Sequence, residues 1–428
     1  LALLTAIAFG LFPALYATRP DLTGALRAST GQPSGGRGAS RWRSSLATAQ
    51  IALSMALLGA AGLFTKSLSN ITHVDLGLKI DRVITFGVSP DLNGYTSGQT
   101  QLFMQRLEEE LGRVPGVTGV TASLVPLLAG SNWGNDVDVQ GFPTGPDIDN
   151  NSRFNEVGPG YFSTLGVPLI AGREFTRADG LTAPKVVIVN QAFARKFNLG
   201  ANPVGHRMDR GNKKYDMEIV GLAQDAKYSQ VKDEVPPLFF APYAQDSGVG
   251  SASVYVRTTL KPELLLATIP RVVARLDPNL PVEELRTMPE QIRQNVSLDR
   301  FISLFSAAFA GLATLLAAIG LYGVLAYTVA QRTREIGVRM ALGAAPHRVR
   351  MMILRQVGTM TAIGSVIGLL AAVALGRVAQ SQLYRMQGYD PVVLATAAVT
   401  LTLVALGAGL VPAMRASRVE PTEALRYE

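Results

Sequence analysis

The sequence predicts an α-helical membrane domain, a four-helix unit preceded by one partial helix, with a large α+β domain outside the membrane. Charged residues make up 17% of the chain and apolar residues 48%, which leaves too little charge for the surface of an ordinary soluble protein. Five stretches have no Asp, Glu, Lys or Arg, and each is long enough to cross a bilayer, which takes roughly 20 residues. They comprise residues 1–18, 44–65, 301–331, 356–376 and 391–414. The long polar stretch between the second and third of them predicts the outer domain.

The distribution of charge predicts on which side of the membrane each loop lies. The formal net charge is +8, and the excess of Lys and Arg is concentrated in residues 19–43, 332–350 and 415–428, beside or between the apolar stretches. Basic loops of this kind lie on the cytoplasmic side. Residues 67–300 are nearly balanced in charge and are therefore expected outside. Because the basic residues form no single patch, we expect no nucleic-acid partner.

The first apolar stretch, residues 1–18, is expected to be the end of the last transmembrane helix of a preceding unit. The segment Leu11–Arg27 matches Leu410–Arg426 at nine of seventeen positions without a gap. Such an internal repeat indicates that one unit ends here and a second one follows. Residues 19–43 then form a cytoplasmic tail and a Gly/Ser-rich linker, and residues 44–66 form the first helix of the second unit.

The outer domain, residues 67–300, alternates strand-like and helix-like segments in two βαβ-like halves. An insertion of residues 127–250, rich in Gly, Asn and Pro, separates residues 67–126 from residues 251–300. Period-two and amphipathic patterns define the elements. The predicted strands are Val83–Val88, Val117–Val125, Lys185–Val189, Met217–Gly221, Ser253–Arg257 and Pro281–Leu285, and the predicted helices are Gln99–Arg113, Gln191–Phe197 and Pro262–Leu276.

The sequence contains no motif for catalysis or for metal binding. It has no cysteine for a thiol nucleophile and no G-x-S-x-G elbow, which leaves open only a Ser/Lys hydrolase on the outer face. The histidines, His73, His206 and His347, are too far apart in the predicted topology to share a metal. The four aspartates between residues 136 and 149 lack the Gly and the bidentate Glu of a calcium loop and are expected in a solvated loop. We therefore predict no enzyme and no bound metal.

Residues 331–350 predict a short amphipathic helix at the cytoplasmic membrane surface. Glu335 and Arg339 stand four residues apart with the acid first, which favours an ion pair on a helix. Gly343 can end this helix, and Pro346 prevents its continuation. Two interpretations fit: an interfacial connector that turns the chain around, or a lever that a cytosolic partner grips. The other segments are the spans 301–330, 351–376 and 391–414, the short outer loop 377–390 and the cytoplasmic tail 415–428.

Four segments carry a resemblance to a known family. QRTREIGVRMALGA (Gln331–Ala344) and VPAMRASRVEPTEALRYE (Val411–Glu428) closely resemble two signatures of the FtsX/MacB-type permeases of ABC transporters. GYFSTLGVPLIAGREFT (Gly160–Thr176) and VVIVNQAFARKFNLGANPVGHRM (Val186–Met208) resemble the MacB-like periplasmic core domain. The resemblance covers nearly the whole chain. The partial repeat at the start resembles the duplicated orphan permeases of the acidobacterial type, of which this sequence would be the C-terminal part.

The resemblance implies a multi-pass permease subunit of the bacterial cytoplasmic (inner) membrane, with residues 67–300 on the periplasmic side. Residues 67–126 and 251–300 would form a porter-like lobe, and residues 127–250 an inserted lobe. The chain would bind no cofactor itself. A separate cytosolic ABC ATPase would hydrolyse ATP and move the periplasmic domain through the membrane helices, a mechanism called mechanotransmission, for efflux or extrusion. The alternative that FtsX implies is a non-transport regulator of a cell-envelope hydrolase or sensor.

The resemblance also implies partners and contact residues. Besides the ATPase and the lipid bilayer, the partners are a periplasmic adaptor protein and a second permease unit in the same full-length chain. The residues expected on the ATPase-coupling helix are Arg332, Arg334, Glu335, Ile336, Gly337, Arg339, Met340, Gly343 and Ala344. From spacing alone, two glycine patterns are expected to bring membrane helices close together. Their glycines are Gly364 with Gly368 and Gly320 with Gly323.

Overall fold

The computed structural model describes residues 37–342 and 344–418, with the side chains of residues 42–333, 335–342 and 344–418. The predicted end of a preceding unit, most of the predicted linker and residues 419–428 of the predicted tail lie outside the described residues. The chain divides into two compact units. The membrane unit comprises the residues up to Lys66 together with those from Ser303 onward, and the outer unit comprises Ser67–Ile302.

Within the described residues, four of the α-helices are long and apolar enough to cross a membrane. In chain order, the helices are α1 (Arg37–Thr72), α2 (Ser97–Gly112), α3 (Tyr161–Leu165), α4 (Gln191–Lys196), α5 (Thr268–Leu276), α6 (Met288–Asn295), α7 (Ser297–Gln331), α8 (Thr333–Ala341), α9 (Pro346–Val378) and α10 (Pro391–Ala416). The membrane-capable ones are α1, α7, α9 and α10. The predicted four-helix unit is confirmed. Each of these helices extends past its predicted apolar span, because polar residues at the ends continue the backbone hydrogen bonding.

Local sequence explains where two membrane helices begin. Asp390 accepts hydrogen bonds from the backbone N–H groups of Val392 and Val393, and Pro391 occupies the first turn of α10. Both features favour a helix start. Pro346 likewise occupies the first turn of α9. Its position therefore opens the next membrane helix as well as excluding continuation of the preceding one.

The outer unit is built on one twelve-stranded sheet. Its strands are β1 (Val83–Val88), β2 (Val117–Ser123), β3 (Trp133–Asp136), β4 (Asp138–Val139), β5 (Asn151–Val157), β6 (Leu169–Gly172), β7 (Lys185–Asn190), β8 (Arg207–Asp209), β9 (Met217–Ala223), β10 (Leu238–Pro242), β11 (Ala252–Thr258) and β12 (Glu283–Thr287). The order along the sheet is β12-β1-β11-β2-β5-β10-β7-β9-β8-β4, with β3 beside β5 and β6 beside β9.

The first lobe of the outer unit consists of β12, β1, β11 and β2 with helices α2 and α5. β11 pairs antiparallel with both β1 and β2, and β1 pairs antiparallel with both β11 and β12. Each predicted βαβ half is present, but a strand of the other half lies between its two strands. The halves therefore interlock, as in ferredoxin-like domains. Their shared core contains Phe86, Leu107, Val254 and Val272.

The second lobe lies within the predicted insertion and has a core of its own. β10 pairs parallel with β5 and β7 pairs parallel with β9, while β10 and β7 run antiparallel. The core of this lobe contains Phe193, Ile219 and Phe239. A single residue pair, Ser123 with Val157, joins β2 of the first lobe to β5 of the second. The sheet is therefore continuous across two separate hydrophobic cores.

Two local predictions for the outer unit are wrong. The helix predicted over Pro262–Leu276 is broken: a 3-10 turn comes first, and α5 begins only at Thr268. Proline has no N–H and favours the first turn of a helix, so the later start places Pro270 where it is tolerated. Asp138, expected in a solvated loop, is 3% exposed in β4. Its carboxylate accepts a hydrogen bond from the backbone N–H of Lys213, which compensates for burying the charge.

Candidate coupling site

The candidate site is the short helix α8 with the residues on either side of it. Arg332 precedes its first turn, and the helix ends at Ala341. Glu335 and Arg339 lie one turn apart and form an ion pair of 2.6 Å, with about half of each side chain exposed. An exposed pair of this kind contributes only about 0.3–0.5 kcal/mol to stability. The two charges are therefore accessible to a partner, and they hardly determine whether the helix folds.

One face of α8 is anchored in the core of the membrane unit. Ile336 is 1% exposed and belongs to the same hydrophobic cluster as Val349 and Ile353 of α9. Gly337 is buried beside it, and Met340 packs against the cluster. A close-packed interior transmits displacement because it contains few voids. The helix is therefore mechanically tied to the membrane helices that it connects.

Two exposed apolar residues extend the site beyond the predicted contact residues. Val338 is 41% exposed and Leu342 is 82% exposed. Residues four apart lie on the same face of a helix, so the two form one apolar strip. In the sequence this pair has the same apolar character and the same spacing of four as Ile336 and Met340. Only the structure separates the apolar pair that anchors the helix from the pair that is exposed.

The remaining predicted residues lie at the edges of the site. Arg332 is exposed and Ala344 is half-buried. The backbone N–H of Ala344 donates to the carbonyl oxygen of Arg339 at 2.9 Å, which satisfies a carbonyl near the end of the helix. Arg334 belongs to α8. Its side chain, and Gly343 as a whole, lie outside the described residues.

The predicted packing glycines of α9 lie against α1. A Cβ atom added to Gly364 would lie 2.7 Å from Cγ2 of Ile51, and one added to Gly368 would overlap Cβ of Met55. Side chains of any size would force the helices apart, and small residues let helix backbones approach within a membrane. These two positions therefore set how closely α9 approaches α1.

The glycines of α7 differ from each other. A Cβ added to Gly320 would overlap the side-chain amide of Gln50 in α1, whereas one added to Gly323 would meet no other heavy atom within 4 Å among the described residues. Residues three apart lie about 60° apart around a helix axis. This turn is enough to leave Gly323 beside the contact that Gly320 makes with Gln50 and not within it, so the close packing predicted for Gly323 is not seen among the described residues.

The outer unit holds two buried carboxyl groups with raised pKa values. Glu108 accepts a hydrogen bond of 2.8 Å from the hydroxyl of Tyr243, and burial raises its pKa from 4.5 to about 7. Glu156 pairs with Arg210 at 2.7 Å, yet burial raises its pKa to about 7 as well. Among the described residues, no group of three or more His, Cys, Asp or Glu is arranged to hold a metal ion. A folded-state pKa near 7 for these two carboxyls predicts that the stability of the outer unit depends on pH.

Comparison with known proteins places both units in known families. The model of the MacB-like periplasmic core domain matches residues 44–287, and the model of the FtsX-like permease C-terminal domain matches residues 307–421. Among solved structures, the periplasmic region of MacB from Actinobacillus actinomycetemcomitans aligns with a TM-score of 0.36 and 15% identity, over 54% of this chain and 98% of that one.

Curated relatives are export proteins. The probable syringafactin export ATP-binding/permease protein of Pseudomonas syringae pv. tomato is 26% identical over 289 residues, which are 65% of this chain and 42% of that protein. The macrolide export ATP-binding/permease protein MacB of Hahella chejuensis is 22% identical over 354 residues, 74% of this chain and 53% of that protein. The chain thus spans about half or less of the length of these relatives. Since the periplasmic core model alone matches more than half of it, the chain belongs to the MacB/FtsX-type permeases of ABC transporters.

Proposed function

We propose that this chain is the permease subunit of an ABC exporter in which a separate cytosolic ATPase moves the outer unit through the membrane helices, for efflux or extrusion. The observation that carries the proposal is the two-sided character of α8. Ile336 fixes the helix in the core of the membrane unit, while Val338, Leu342 and the Glu335–Arg339 pair stay exposed. A helix with one anchored face and one accessible face can pass a push from a bound partner to the membrane helices.

The exposed face of α8 suits a protein partner with an apolar groove and an acidic rim. Val338 and Leu342 supply the apolar strip. Arg332, Arg348 and Arg350, which flank the strip in the chain, are exposed. Complementary charge at the edge of an interface steers association, while the apolar centre supplies affinity. The proposed ATPase would therefore carry carboxylates around the pocket that receives Leu342.

The composition of the membrane helices supports a mechanical role. The apolar stretches 44–65, 301–331, 356–376 and 391–414 contain no charged residue. Charged side chains at a helix end, such as the Lys66–Asp390 pair, lie outside these stretches. Transporters that pass a polar solute between helices line the path with polar or ionisable groups. The absence of charge in these stretches favours transmission of motion over passage of a polar solute between them.

The proposed location is the bacterial cytoplasmic (inner) membrane, with the outer unit on the periplasmic side. Four membrane-capable helices and the basic residues between 332 and 350 support this orientation. The relatives' names combine ATP binding and permease in one protein. We assign ATP hydrolysis to a separate subunit and no cofactor to this chain. A periplasmic adaptor and a second permease unit complete the proposed assembly.

Reconstitution in lipid nanodiscs, with the ATPase that co-purifies from native membranes, tests the proposal. We expect the permease to stimulate ATP hydrolysis, and Leu342→Glu to lower that stimulation about tenfold or more, because it buries an unpaired charge in the interface. Val378→Glu is the matched control, since Val378 is 84% exposed at the opposite end of α9. Equal effects of the two substitutions would contradict the proposal. Nanodiscs without anionic lipid should give the same contrast, which separates a protein contact from a lipid contact.

A further inference from the structure

The four membrane helices are packed unevenly. In the most apolar 18-residue stretch of each helix, 50% of the residues are buried in α1 but only 17% in α7. These are also the two helices along which the chain passes between the membrane unit and the outer unit. One of the two connections is therefore firmly held within the membrane unit, and the other is not.

Backbone-close contacts join α1 to α9 and α10. A Cβ atom added to Gly59 of α1 would lie 2.8 Å from Cβ of Ala372 in α9, and one added to Gly62 would lie 2.6 Å from Cγ1 of Val393 in α10. Together with the contacts of α9 glycines against α1, these approaches extend over several turns. Moving α1 relative to its two neighbours would separate atoms that are in van der Waals contact along much of its length.

A polar contact fixes the outer end of the same helix. Lys66 at the end of the α1 span donates to the carboxylate of Asp390 at 2.6 Å, with 40% and 16% of the two side chains exposed. The same carboxylate accepts the backbone N–H groups of Val392 and Val393. Asp390 thus caps α10 and ties α1 to it at once. The point at which α1 leaves the membrane unit is held by a charge-assisted hydrogen bond, which is stronger than a neutral one.

The outer half of α7 contacts the rest of the membrane unit along a narrow seam. Ser303, Ala310 and Ala317 are its buried residues there, seven positions apart, and larger buried side chains, Leu321 and Leu325, follow only toward the inner end. Large exposed side chains flank the seam. They are Leu304, Phe309, Leu312, Leu315 and Leu316. Each of these small side chains brings few atoms into van der Waals contact, unlike the α9 glycines, which receive the larger side chains of Ile51 and Met55, so separating the seam costs little.

We infer that α1, α9 and α10 form a fixed block and that the outer half of α7, residues 303–317, is the element that shifts against it. The inference rests on the proposed function, because it names the moving part of that mechanism. Displacing this segment would separate the buried Ser303, Ala310 and Ala317 from their neighbours, including the contact of 3.2 Å between the hydroxyls of Thr65 and Ser303. The inner half of α7, where Leu321 and Leu325 are buried in the core of the membrane unit, acts as the pivot. Such packed elements shift between discrete arrangements.

Spin-label distances in nanodiscs test the inference without any ATPase. The chain has no cysteine, so introduced pairs carry the only labels. The test pair is Leu304→Cys with Val399→Cys, between α7 and α10, and the control pair is Leu53→Cys with Val399→Cys, between α1 and α10. Leu304 is 63% exposed, and Val399 and Leu53 are each 59% exposed. We expect the α7–α10 distance distribution to be about twice as broad as the α1–α10 distribution. Equal widths would overturn the inference.

Disulfides test it in the presence of the ATPase. Thr65→Cys with Ser303→Cys locks α7 to α1. Gly62→Cys with Val393→Cys locks α1 to α10, where a Cβ atom added to Gly62 would lie 3.9 Å from Cβ of Val393, within disulfide range. Oxidation of the first pair should reduce stimulated ATP hydrolysis about tenfold, and oxidation of the second should change it less than about twofold. Reduction of the disulfide should return stimulated ATP hydrolysis in both variants to its value before oxidation. The reverse pattern, or equal loss of ATP hydrolysis in the two variants, would overturn the inference.

If even the reduced variants gave no stimulation of ATP hydrolysis, the proposed function would fail. The label distances would still decide which helix moves.

Discussion

The hydroxyl of Tyr243 donates a hydrogen bond of 2.8 Å to the buried carboxyl of Glu108. Glu108 belongs to α2 of the first lobe, and Tyr243 follows strand β10, which belongs to the sheet of the second lobe. Burial raises the pKa of Glu108 to about 7. The burial of Tyr243, together with the neighbouring carboxyl of Glu108, raises the pKa of the Tyr243 hydroxyl far above its usual range. Tyr243 itself packs in the core of the first lobe, and this core therefore contains a carboxyl group that is expected to titrate near neutral pH.

Raising the pH is expected to destabilise the outer unit. The folded-state pKa of Glu108, about 7, lies above its usual value of 4.5, so the folded state binds the proton more tightly. The protonated carboxyl therefore contributes its full stabilisation below the pKa of the unfolded state, 4.5, and this stabilisation is lost as the pH rises through the folded-state pKa of about 7. Glu108→Gln keeps an acceptor for Tyr243 and removes the titration. The variant should be more stable than the parent by about 1–2 kcal/mol at about pH 8, and nearly equal to it at about pH 5.

Thermal unfolding of the full chain in detergent, followed at both pH values, measures this difference. Glu110→Gln is the matched control because Glu110 lies on the same helix, pairs with Arg113, and has 34% of its side chain exposed. Its unfolding should keep the pH dependence of the parent. A Glu108→Gln variant that still lost stability as steeply as the parent would show that another group, such as Glu156, dominates the titration.

A methyl group at residue 368 should weaken the membrane unit. Alanine at this position places Cβ against Cβ of Met55 and the carbonyl oxygen of Ala52, and overpacking of this kind costs about 1–3 kcal/mol. Gly358→Ala is the control on the same helix, because an added Cβ there has no other neighbour within 4 Å in the described part of the chain. This substitution should stabilise the protein by about 0.5–1 kcal/mol. Retention of folded protein after heating in detergent ranks the two variants. Equal behaviour would mean that α1 and α9 pack less closely than described.

Two substitutions at Asp390 separate its two roles. Asp390→Asn keeps a side-chain acceptor for the N–H groups of Val392 and Val393 and loses the ion pair with Lys66. Asp390→Ala loses both. The alanine variant should be less stable by about 1–2 kcal/mol, and the asparagine variant by less than about 1 kcal/mol because Lys66 is partly exposed. Heat denaturation in nanodiscs compares them. An asparagine variant as unstable as the alanine one would show that the ion pair, and not the cap, stabilises α10.

The orientation of the two units is testable by labelling single cysteines. Leu181 of the outer unit and Leu342 beside α8 are 59% and 82% exposed, and the chain has no cysteine of its own. With a membrane-impermeant maleimide, Leu181→Cys should react in intact cells, whereas Leu342→Cys should react only after lysis. The physical basis is the concentration of basic residues on the inner side. Labelling of Leu342→Cys in intact cells would reverse the proposed topology.

Much of the fold follows from local sequence, but the pairing of distant segments does not. Apolar length predicts the membrane helices, and alternation predicts β1 and β7 within one residue of their ends. Strand β5 is missed because it buries Asn155 and Glu156, which interrupt the apolar alternation on which strand prediction depends. The placement of β11 between β1 and β2 is a contact between segments far apart in sequence, so no local pattern contains it.

The candidate site shows the same division. The spacing of Glu335 and Arg339 predicts their ion pair, which the structure contains. The rotation of each helix about its axis is set by tertiary packing, so the sequence does not distinguish the buried Ile336 from the exposed Leu342. For the same reason it proposes Gly323 as a packing residue and omits Gly59 and Gly62, which lie against α9 and α10.

The central claim is that α8 is the contact of a separate ATPase, and its most direct measurement is co-purification. The full-length protein is isolated in mild detergent from its native membranes, with and without the double change Glu335→Lys and Arg339→Glu. The change reverses two half-exposed charges and costs little stability, about 0.5 kcal/mol. We predict that an ABC ATPase subunit accompanies the parent and is lost from the double variant, while both proteins unfold at nearly the same temperature. An ATPase retained equally by both, or absent from the parent, would contradict the account.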